Sequence, residues 1–481
     1  MGKTILAFSL SVALAGCAMG PDYQPVELDL TEDWPAQVEQ ADAQLGDWQQ
    51  WWKRFDDEAL NSLVERALDD SLELQLQLQR IEQARAQLGL SNAAFWPTLG
   101  GQAEATRTQQ AGVLLPAEFG GGRPRNQFTV AGSLSYELDI WGRLRREREA
   151  SVALLEESLY GTQAIRLNLV TDVVSTYFTM RALEQQVAVA QNTIGSYEES
   201  LELMEMRYEG GAVDPLSVRQ ARAMTEGARA MLPDLLEQLE STQTALAMLV
   251  GYSPREMLSA LDFGDVRLTD IKVPDVLPEV VPSELLQRRP DVRAAEAYMV
   301  AANAQIGVAQ AARFPSLNLS GMFGSTALEA GDLFADGTET WSLGANLAGP
   351  IFDFGRNRAR VESAEAASAQ AETQYRQAVL SALRDARDAI SMHGYAQQRV
   401  DAVRSQTEAI SETAELAQVQ YDAGAIGYYE LLDAQREKLN AELNLTQALS
   451  QRFIASANLF KAMGGGWDGQ GPYLISSENA E

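Results

Sequence analysis

Few residues in this chain could do chemistry. Among 481 residues there is one cysteine, Cys17, and one histidine, His393. Neither belongs to a cluster with metal-ligand spacing, and the chain carries no phosphate-cradling glycine loop and no nucleophile elbow. His393 falls in mid-helix, where a solvated or packed ring is the ordinary outcome. A further set lies nearer the C-terminus: Tyr429 and Asp433 stand at i and i+4 on one helix face, with Glu430 beside them. Such a face can line a surface with aromatic bulk and negative charge; Glu430 can equally stabilise a helix N-terminus. No catalytic constellation forms, so the chain reads as a non-enzyme without metal or diffusible cofactor.

The stretch leading to Tyr429 has a counterpart. Tyr421-Asp-Ala-Gly-Ala-Ile-Gly-Tyr428 answers Tyr208-Glu-Gly-Gly-Ala-Val-Asp-Pro215 at an offset of 213 residues, pairing Tyr208 with Tyr421 and Gly211 with Gly424. Each interrupts a long helical pattern, with glycine where a helix can end, which predicts two helix–turn–helix tips in an internal repeat. Gly142 to Tyr208 and Gly355 to Tyr421 are both 66 residues apart. Helices of that length, roughly 95 Å at ~1.5 Å per residue, need coiled-coil partners. The expected seams are Tyr197, Leu201, Met204 and Tyr208 in one copy, and Ile410, Ala414, Ala417 and Tyr421 in the other. Return helices follow each tip, the first with a break at Pro233.

At the other end, Lys3 and the apolar run Thr4 to Ala13 read as a signal peptide over residues 1–16. Leu14-Ala15-Gly16-Cys17 resembles the bacterial lipobox, which predicts covalent lipid on Cys17; Ala18 resembles an outer-membrane sorting signal. A signal peptide with an incidental cysteine is the alternative. Residues 17–56 are then a lipidated arm, and Trp48, Trp51, Trp52 and Phe55 either dock it or belong to a helix core. Lys+Arg 38 against Asp+Glu 67 gives a net charge of −29, which repels nucleic acid and offers no polybasic membrane patch. With 22% charged residues the chain is neither disordered nor a helical polytopic membrane protein.

Between the helical stretches the period changes to two. Residues 97–110 and 126–141 predict a pair of strands, the second alternating Phe128, Val130, Leu134, Tyr136, Leu138 and Ile140 with a wholly polar face. Residues 315–326 and 340–353 repeat the pair, with Leu317, Leu319, Phe323, Trp341, Leu343 and Leu347 on the apolar side. Phe95, Trp96, Trp141, Phe314, Phe352 and Phe354 cluster at the strand exits, where an interfacial girdle belongs. The domain plan is therefore repeat 1 over 57–250, an irregular segment 251–283, repeat 2 over 284–463 and a tail 464–481.

Four strands with a lipid-compatible face cannot close alone, and lipid does not tolerate an open edge. Two chains would give a filled eight-stranded barrel; three would give twelve strands and room for a lumen. The competing reading is a periplasmic or surface lipoprotein, a scaffold or adhesin whose coiled coils only bind partners.

Several motifs resemble the outer-membrane factors, the TolC-type family, and within it the lipoprotein branch of efflux-system subunits. They are Cys17-Ala-Met-Gly-Pro-Asp-Tyr23, Trp51-Trp-Lys-Arg-Phe55, Arg289-Pro-Asp-Val-Arg-Ala-Ala-Glu-Ala297, Ala304-Gln-Ile-Gly-Val-Ala309, Phe314-Pro-Ser-Leu317, Leu459-Phe-Lys-Ala-Met-Gly-Gly-Gly-Trp467 and the two Tyr-x-x-Gly tips. The resemblance implies an α+β membrane protein: a homotrimer with a 12-stranded outer-membrane β-barrel, continued by a long periplasmic α-helical coiled-coil barrel. It implies a passive efflux conduit whose tips, at Tyr208, Gly211, Tyr421 and Gly424, meet a periplasmic adaptor working with an inner-membrane pump of the resistance-nodulation-division type. By position, Tyr429 resembles the family's apolar ring, and Glu430 and Asp433 its acidic rings, at a periplasmic constriction. The first tip departs from this pattern, with no matching acid pair, and Gln420 stands where Arg207 precedes the first tyrosine.

Overall fold

The computed structural model of the chain describes residues 18–29, 48–109, 111, 123–259, 263–264, 266–274 and 282–467. The expected signal peptide, Cys17 and residues 468–481 lie outside that set. The strands are β1 (Thr98–Gln109), β2 (Pro124–Leu138), β3 (Ser316–Ala327) and β4 (Glu339–Ala348). In chain order the helices are α1 (Glu58–Asp70), α2 (Leu72–Ala93), α3 (Arg143–Glu209), α4 (Pro215–Val250), the one-turn α5 (Pro254–Met257), α6 (Pro282–Arg288), α7 (Pro290–Ala311), α8 (Arg356–Asp422) and α9 (Tyr428–Ala462). The repeat is explicit here: α3 and α8 have 67 residues each, about 100 Å at ~1.5 Å per residue.

Two compact units divide the chain. The first draws on residues 18–27, 80–158 and 294–376 and contains an antiparallel sheet in the order β1-β2-β3-β4. Its register sorts the side chains by period two. Leu99, Leu134, Gly321 and Leu343 share one rung, and Leu138, Leu317 and Leu347 another, on the same face. Gly100, Ser133, Met322 and Ser342, then Thr98, Ser135, Ser320 and Gly344, occupy the opposite face. The apolar face is open: Leu343 is 82% exposed, Leu99 78% and Trp341 70%. β1 and β4 are the edges, and neither pairs with a further strand among the described residues.

The strands stop for local reasons. β2 ends at Leu138, short of the expected 141, because the Asp139 carboxylate turns to the N-terminus of α3, accepting from Leu144 N (3.0 Å) and Arg145 N (3.1 Å). β4 ends at Ala348 rather than 353. Gly349 crosses the Pro315 backbone so closely that a Cβ would lie 2.6 Å from Pro315 Cα, and Pro350 offers no N–H. Asp353 then caps α8 as Asp139 caps α3, accepting from Asn357 N at 2.9 Å.

At this end of the sheet Trp141 stacks on Phe314 (4.6 Å between ring centres) and donates through Nε1 to Pro315 O at 2.8 Å. The arm residues lie beside them. Met19 N donates to Trp141 O (3.0 Å), and the buried Arg146 donates to Met19 O (3.0 Å), Gly20 O (3.3 Å) and Asp22 Oδ1 (2.6 Å). Tyr23 donates to Glu296, and Gly20 passes Gly307 with no room for a Cβ on either. The Met-Gly-Pro-Asp-Tyr and Ala-Gln-Ile-Gly motifs are thus two halves of one contact.

The second unit, within residues 28–79, 159–293 and 377–467, has an aromatic core. Phe178 stacks on Phe453 at 4.4 Å and Trp51 on Phe460 at 5.2 Å, surrounded by Trp52, Phe55, Val64, Val173 and Val250. Trp51, Trp52 and Phe55 are therefore core, carried on a 3-10 turn over Trp48–Phe55. Asp57 caps α1 through Ala59 N and Leu60 N while accepting from the buried Tyr177 hydroxyl at 2.6 Å. Buried Arg181 holds the segment after α5, donating to Phe263 O (2.6 Å) and Gly264 O (2.8 Å). Arg289 pins the start of α7, gripping Asp291 through Nε and Nη2 and reaching Asp385 from Nη2 at 3.3 Å.

The helical stretch that opens repeat 1 is divided at Ser71, whose ψ of 124° turns the backbone after a poor helix-forming Asp-Asp-Ser run. Three expectations need correction. Pro233 does not break α4, because Met231, Leu232, Leu235 and Leu239 on either side of it pack against Leu183 and Val187. The irregular segment contains α5 and a 3-10 turn at Leu268–Asp270. Residues 464–467 are not tail: Trp467 is buried, donates to Arg288 O and meets the Tyr160 ring edge-on.

Candidate functional site

Both tips use one backbone design. In the first, Gly211 N donates to Tyr208 O (2.9 Å) and Ala212 N to Arg207 O (2.8 Å); in the second, Gly424 N donates to Tyr421 O (2.9 Å) and Ala425 N to Gln420 O (2.8 Å). Gly211 and Gly424 have φ of 75° and 72°, and no atom lies within 4 Å of where a Cβ would point. Left-handed backbone, not crowding, demands glycine there. The tips are accordingly bare, rigid turns.

The return helices start differently. Asp214 caps α4, accepting from Ser217 N and Ser217 Oγ at 2.9 Å each; the backbone hydrogen bond from Ser217 holds its carboxyl below the usual range. Gly427 precedes α9 and has no side-chain cap; Glu430 folds back so that its Oε2 would lie 2.8 Å from a Cβ at Gly427. Glu430 thus sits in the first turn, where its charge favours the helix N-terminus. Tyr429 is 63% exposed and Glu430 is exposed beside it, while Asp433, one turn on, is half-buried. Asp433 is ion-paired with Arg436, which sequence reasoning missed although the i, i+3 spacing was there to read.

One cluster joins all four helices of the tips: Met204, Ala221, Tyr428, Leu431 and Leu432, with Leu201, Val218, Ala417 and Tyr421 against it. Tyr421 and Tyr428 rings lie 5.4 Å apart, and Tyr428 Oη meets Ser200 Oγ at 3.1 Å. Arg207 Nη1 donates to Tyr421 Oη at 3.3 Å. Tyr208, expected in the seam beside Met204, is instead 47% exposed. The paired tyrosines are therefore not equivalent: Arg207 reaches Tyr421, whereas Gln420 stands where a reciprocal arginine would be. Tyr428 also escaped notice, since its counterpart in the repeat is Pro215.

Cys17 lies outside the described residues, but its neighbour Ala18 is packed against Gly142 at the strand exit. Among the described residues no helix is long and apolar enough to cross a membrane, and no group of three or more His, Cys, Asp or Glu could hold a metal ion.

An exposed apolar sheet face, duplicated hairpins each led by a helix of about 100 Å at ~1.5 Å per residue, and paired tips define the architecture of outer-membrane efflux proteins. The family model described as outer membrane efflux protein matches residues 63–252 and 281–465, and the chain belongs to that family. It is 32% identical over 474 residues to outer membrane protein OprJ of Pseudomonas aeruginosa, covering 96% of both chains. It is 29% identical over 468 residues to the probable outer membrane lipoprotein SilC of Salmonella typhimurium, covering 96% of this chain and 98% of SilC. Its fold matches the crystal structure of the Campylobacter jejuni CmeC outer membrane channel with a TM-score of 0.87 and 26% identity, over 94% of this chain and 95% of CmeC.

Proposed function

We propose that the chain is the outer-membrane channel subunit of a tripartite efflux system, assembled as a homotrimer and anchored by lipid on Cys17. The observation that carries this reading is the four-stranded sheet with one exposed apolar face, one polar face and two open edges. An even strand number sets β1 and β4 antiparallel, so β4 of one copy can pair with β1 of the next and continue around a closed ring. Three copies give twelve strands, with Leu99, Leu134, Leu343 and Leu347 toward lipid and the serine-, glycine- and asparagine-rich face toward a lumen. β3 takes eleven steps from Ser316 to Ala327; about 36 Å of strand, tilted ~40°, rises roughly 28 Å, enough to cross an apolar band.

The lipid expectation is supported by SilC, a relative whose name describes a lipoprotein, and by the arm, which holds Ala18 at the aromatic strand exit. The conduit is passive: the chain supplies a lumen, a constriction and a docking surface, and an inner-membrane pump of the resistance-nodulation-division type supplies the energy. The bare tips around Gly211 and Gly424 meet the periplasmic adaptor. Tyr429 narrows the periplasmic end, and Glu430 with Asp433 favours cations there; the Arg436 partner tempers the Asp433 ring. Single-channel recording of the purified protein in planar bilayers tests the reading. Discrete, cation-preferring conductance steps are expected, whereas a scaffold or adhesin would pass no current.

A further inference from the structure

Among the described residues, three other than glycine have positive φ: Asp56 (54°), Phe334 (71°) and Phe354 (53°). Aspartate tolerates that region, whereas a bulky residue rarely enters it. Phe334 lies in the β3–β4 loop, at the third position of a turn closed by Ala335 N donating to Asp332 O at 3.0 Å. Leu333 before it has φ −53° and ψ 128°, so the turn is type II, in which the third position favours glycine. Phenylalanine there strains the backbone, and burial within the chain recovers little of the cost, because Phe334 is 75% exposed.

A chain of hydrogen bonds holds the strained turn. Phe334 N donates to Ser325 Oγ (3.2 Å), Ser325 Oγ to Thr338 Oγ1 (2.8 Å) and Thr338 Oγ1 to Ala335 O (2.8 Å). The same bonds fix the side of the sheet that the loop takes. By the period of two, Ser325 shares the face of Leu317, Phe323 and Leu343. Phe323 and Trp341 on that face are exposed, whereas Ser325 and Ala327, the next two positions along β3, are buried. The loop therefore folds over the apolar face just beyond the Phe323–Trp341 rung. From Leu317 to Ser325, about 27 Å of strand tilted ~40° rises roughly 20 Å, which sets the loop at the far edge of an apolar band.

We propose that the β3–β4 loop is a membrane anchor: it lies against the outer leaflet with Phe334 in the headgroup–acyl boundary, continuous with Phe323 and Trp341, instead of crossing the channel mouth. The lipid environment offsets the strain that burial in the protein does not. Glu329, Asp332 and Asp336, all exposed, keep the loop at that depth, since a carboxylate in hydrocarbon is costly. The inference rests on the reading of this sheet face as lipid-facing.

The test uses full-length trimers carrying Phe334→Cys, labelled with bimane and reconstituted in phosphatidylethanolamine–phosphatidylglycerol vesicles. The parent, labelled alongside, sets the background from Cys17; Leu343→Cys reports the sheet face and Asp336→Cys the wet side of the loop. The Phe334→Cys probe should emit at shorter wavelength than the Asp336→Cys probe. It should lose most of its fluorescence to a doxyl-labelled lipid and little to iodide present on both sides of the vesicle. Because bimane is itself apolar, an Ala335→Cys probe is also read with Phe334 intact and with Phe334→Gly, which suits the turn and removes the ring. Its quenching by doxyl lipid should fall in Phe334→Gly, and unchanged quenching would overturn the anchor. Iodide quenching at Phe334→Cys without doxyl quenching would overturn it too, as would protection from both, which would seat Phe334 against a neighbouring copy. If Leu343→Cys meets lipid and Phe334→Cys does not, the anchor is wrong and the lipid-facing sheet stands. If neither meets lipid, the lipid-facing reading has failed and the anchor with it.

Discussion

Arg207, the last basic residue of the first long helix, reaches across to Tyr421 at the end of the second: its Nη1 is 3.3 Å from the phenolic oxygen and its guanidinium carbon 5.8 Å from the ring centre. The contact ties the two tips of one chain together, and the repeat does not provide its mirror image, because Gln420 replaces the arginine. Arg207→Ala should loosen the closed tips by on the order of 1 kcal/mol, about fivefold in a closed–open equilibrium. Tyr421→Phe, which keeps the ring, should do less. Resting open probability in bilayers reads both.

The constriction makes separable predictions. Tyr429→Ala should raise resting conductance by removing bulk, and Asp433→Ala should lower cation preference, most clearly at low salt where screening is weak. Arg436→Gln should have the opposite effect from Asp433→Ala, since it frees the carboxylate from its partner. The matched first-tip changes Leu216→Ala and Gln220→Ala should alter current much less. Single-channel conductance reads Tyr429→Ala, reversal potentials under a salt gradient read Asp433→Ala and Arg436→Gln, and the two first-tip variants serve as controls in both.

The arm contact can be broken without touching Cys17. A Cβ at Gly307 would lie 2.5 Å from Met19 O, and Arg146 is the donor for Met19 O, Gly20 O and Asp22. Gly307→Val and Arg146→Met should each release residues 18–23. Protease cleavage there should accelerate about tenfold or more, given ~1.5–3 kcal/mol for a hydrogen bond to a charged group. Unchanged cleavage would show that the arm is held elsewhere.

A pH effect is expected at α5. The side-chain bond from Arg66, with Ser253 adding, depresses the Glu256 carboxyl to about 2. A depressed acid stabilises above its unfolded pKa, so the contribution is complete above about pH 4.5 and is lost as pH falls toward 2. Hydrogen exchange at residues 253–257 should rise across that window. In Arg66→Met the rise should begin at higher pH.

Much of this architecture was legible because it is periodic. The strand alternation, the 213-residue offset and the glycine of each tip are local signals, and they located four strands, two long helices and two turns. What escaped depends on partners far away in sequence. Pro233 stays helical because Leu183 and Val187 pack beside it, and Ser71 breaks a helix that apolar spacing alone would continue. Tyr428 joins the tip cluster through Ser200, 228 positions away, and no repeat-based comparison could flag it opposite Pro215. Likewise the Met-Gly-Pro-Asp-Tyr stretch gives no hint, read by itself, that Arg146 and Gly307 hold it.

The central claim is that the sheet separates lipid from a conducting lumen, and two adjacent residues test it most directly. Leu343 shares a rung with Leu134's face and is 82% exposed; Ser342 points to the opposite face beside Met322. Lysine on a lipid-facing strand position costs about 2–4 kcal/mol per copy near the bilayer midplane and little in a lumen. The measurement is planar-bilayer conductance of trimers purified from outer membranes carrying Leu343→Lys or Ser342→Lys. The account predicts that Leu343→Lys yields few or no channels, while Ser342→Lys yields channels with reduced cation preference. Equal channel yield from both, with selectivity unchanged in Ser342→Lys, would contradict it.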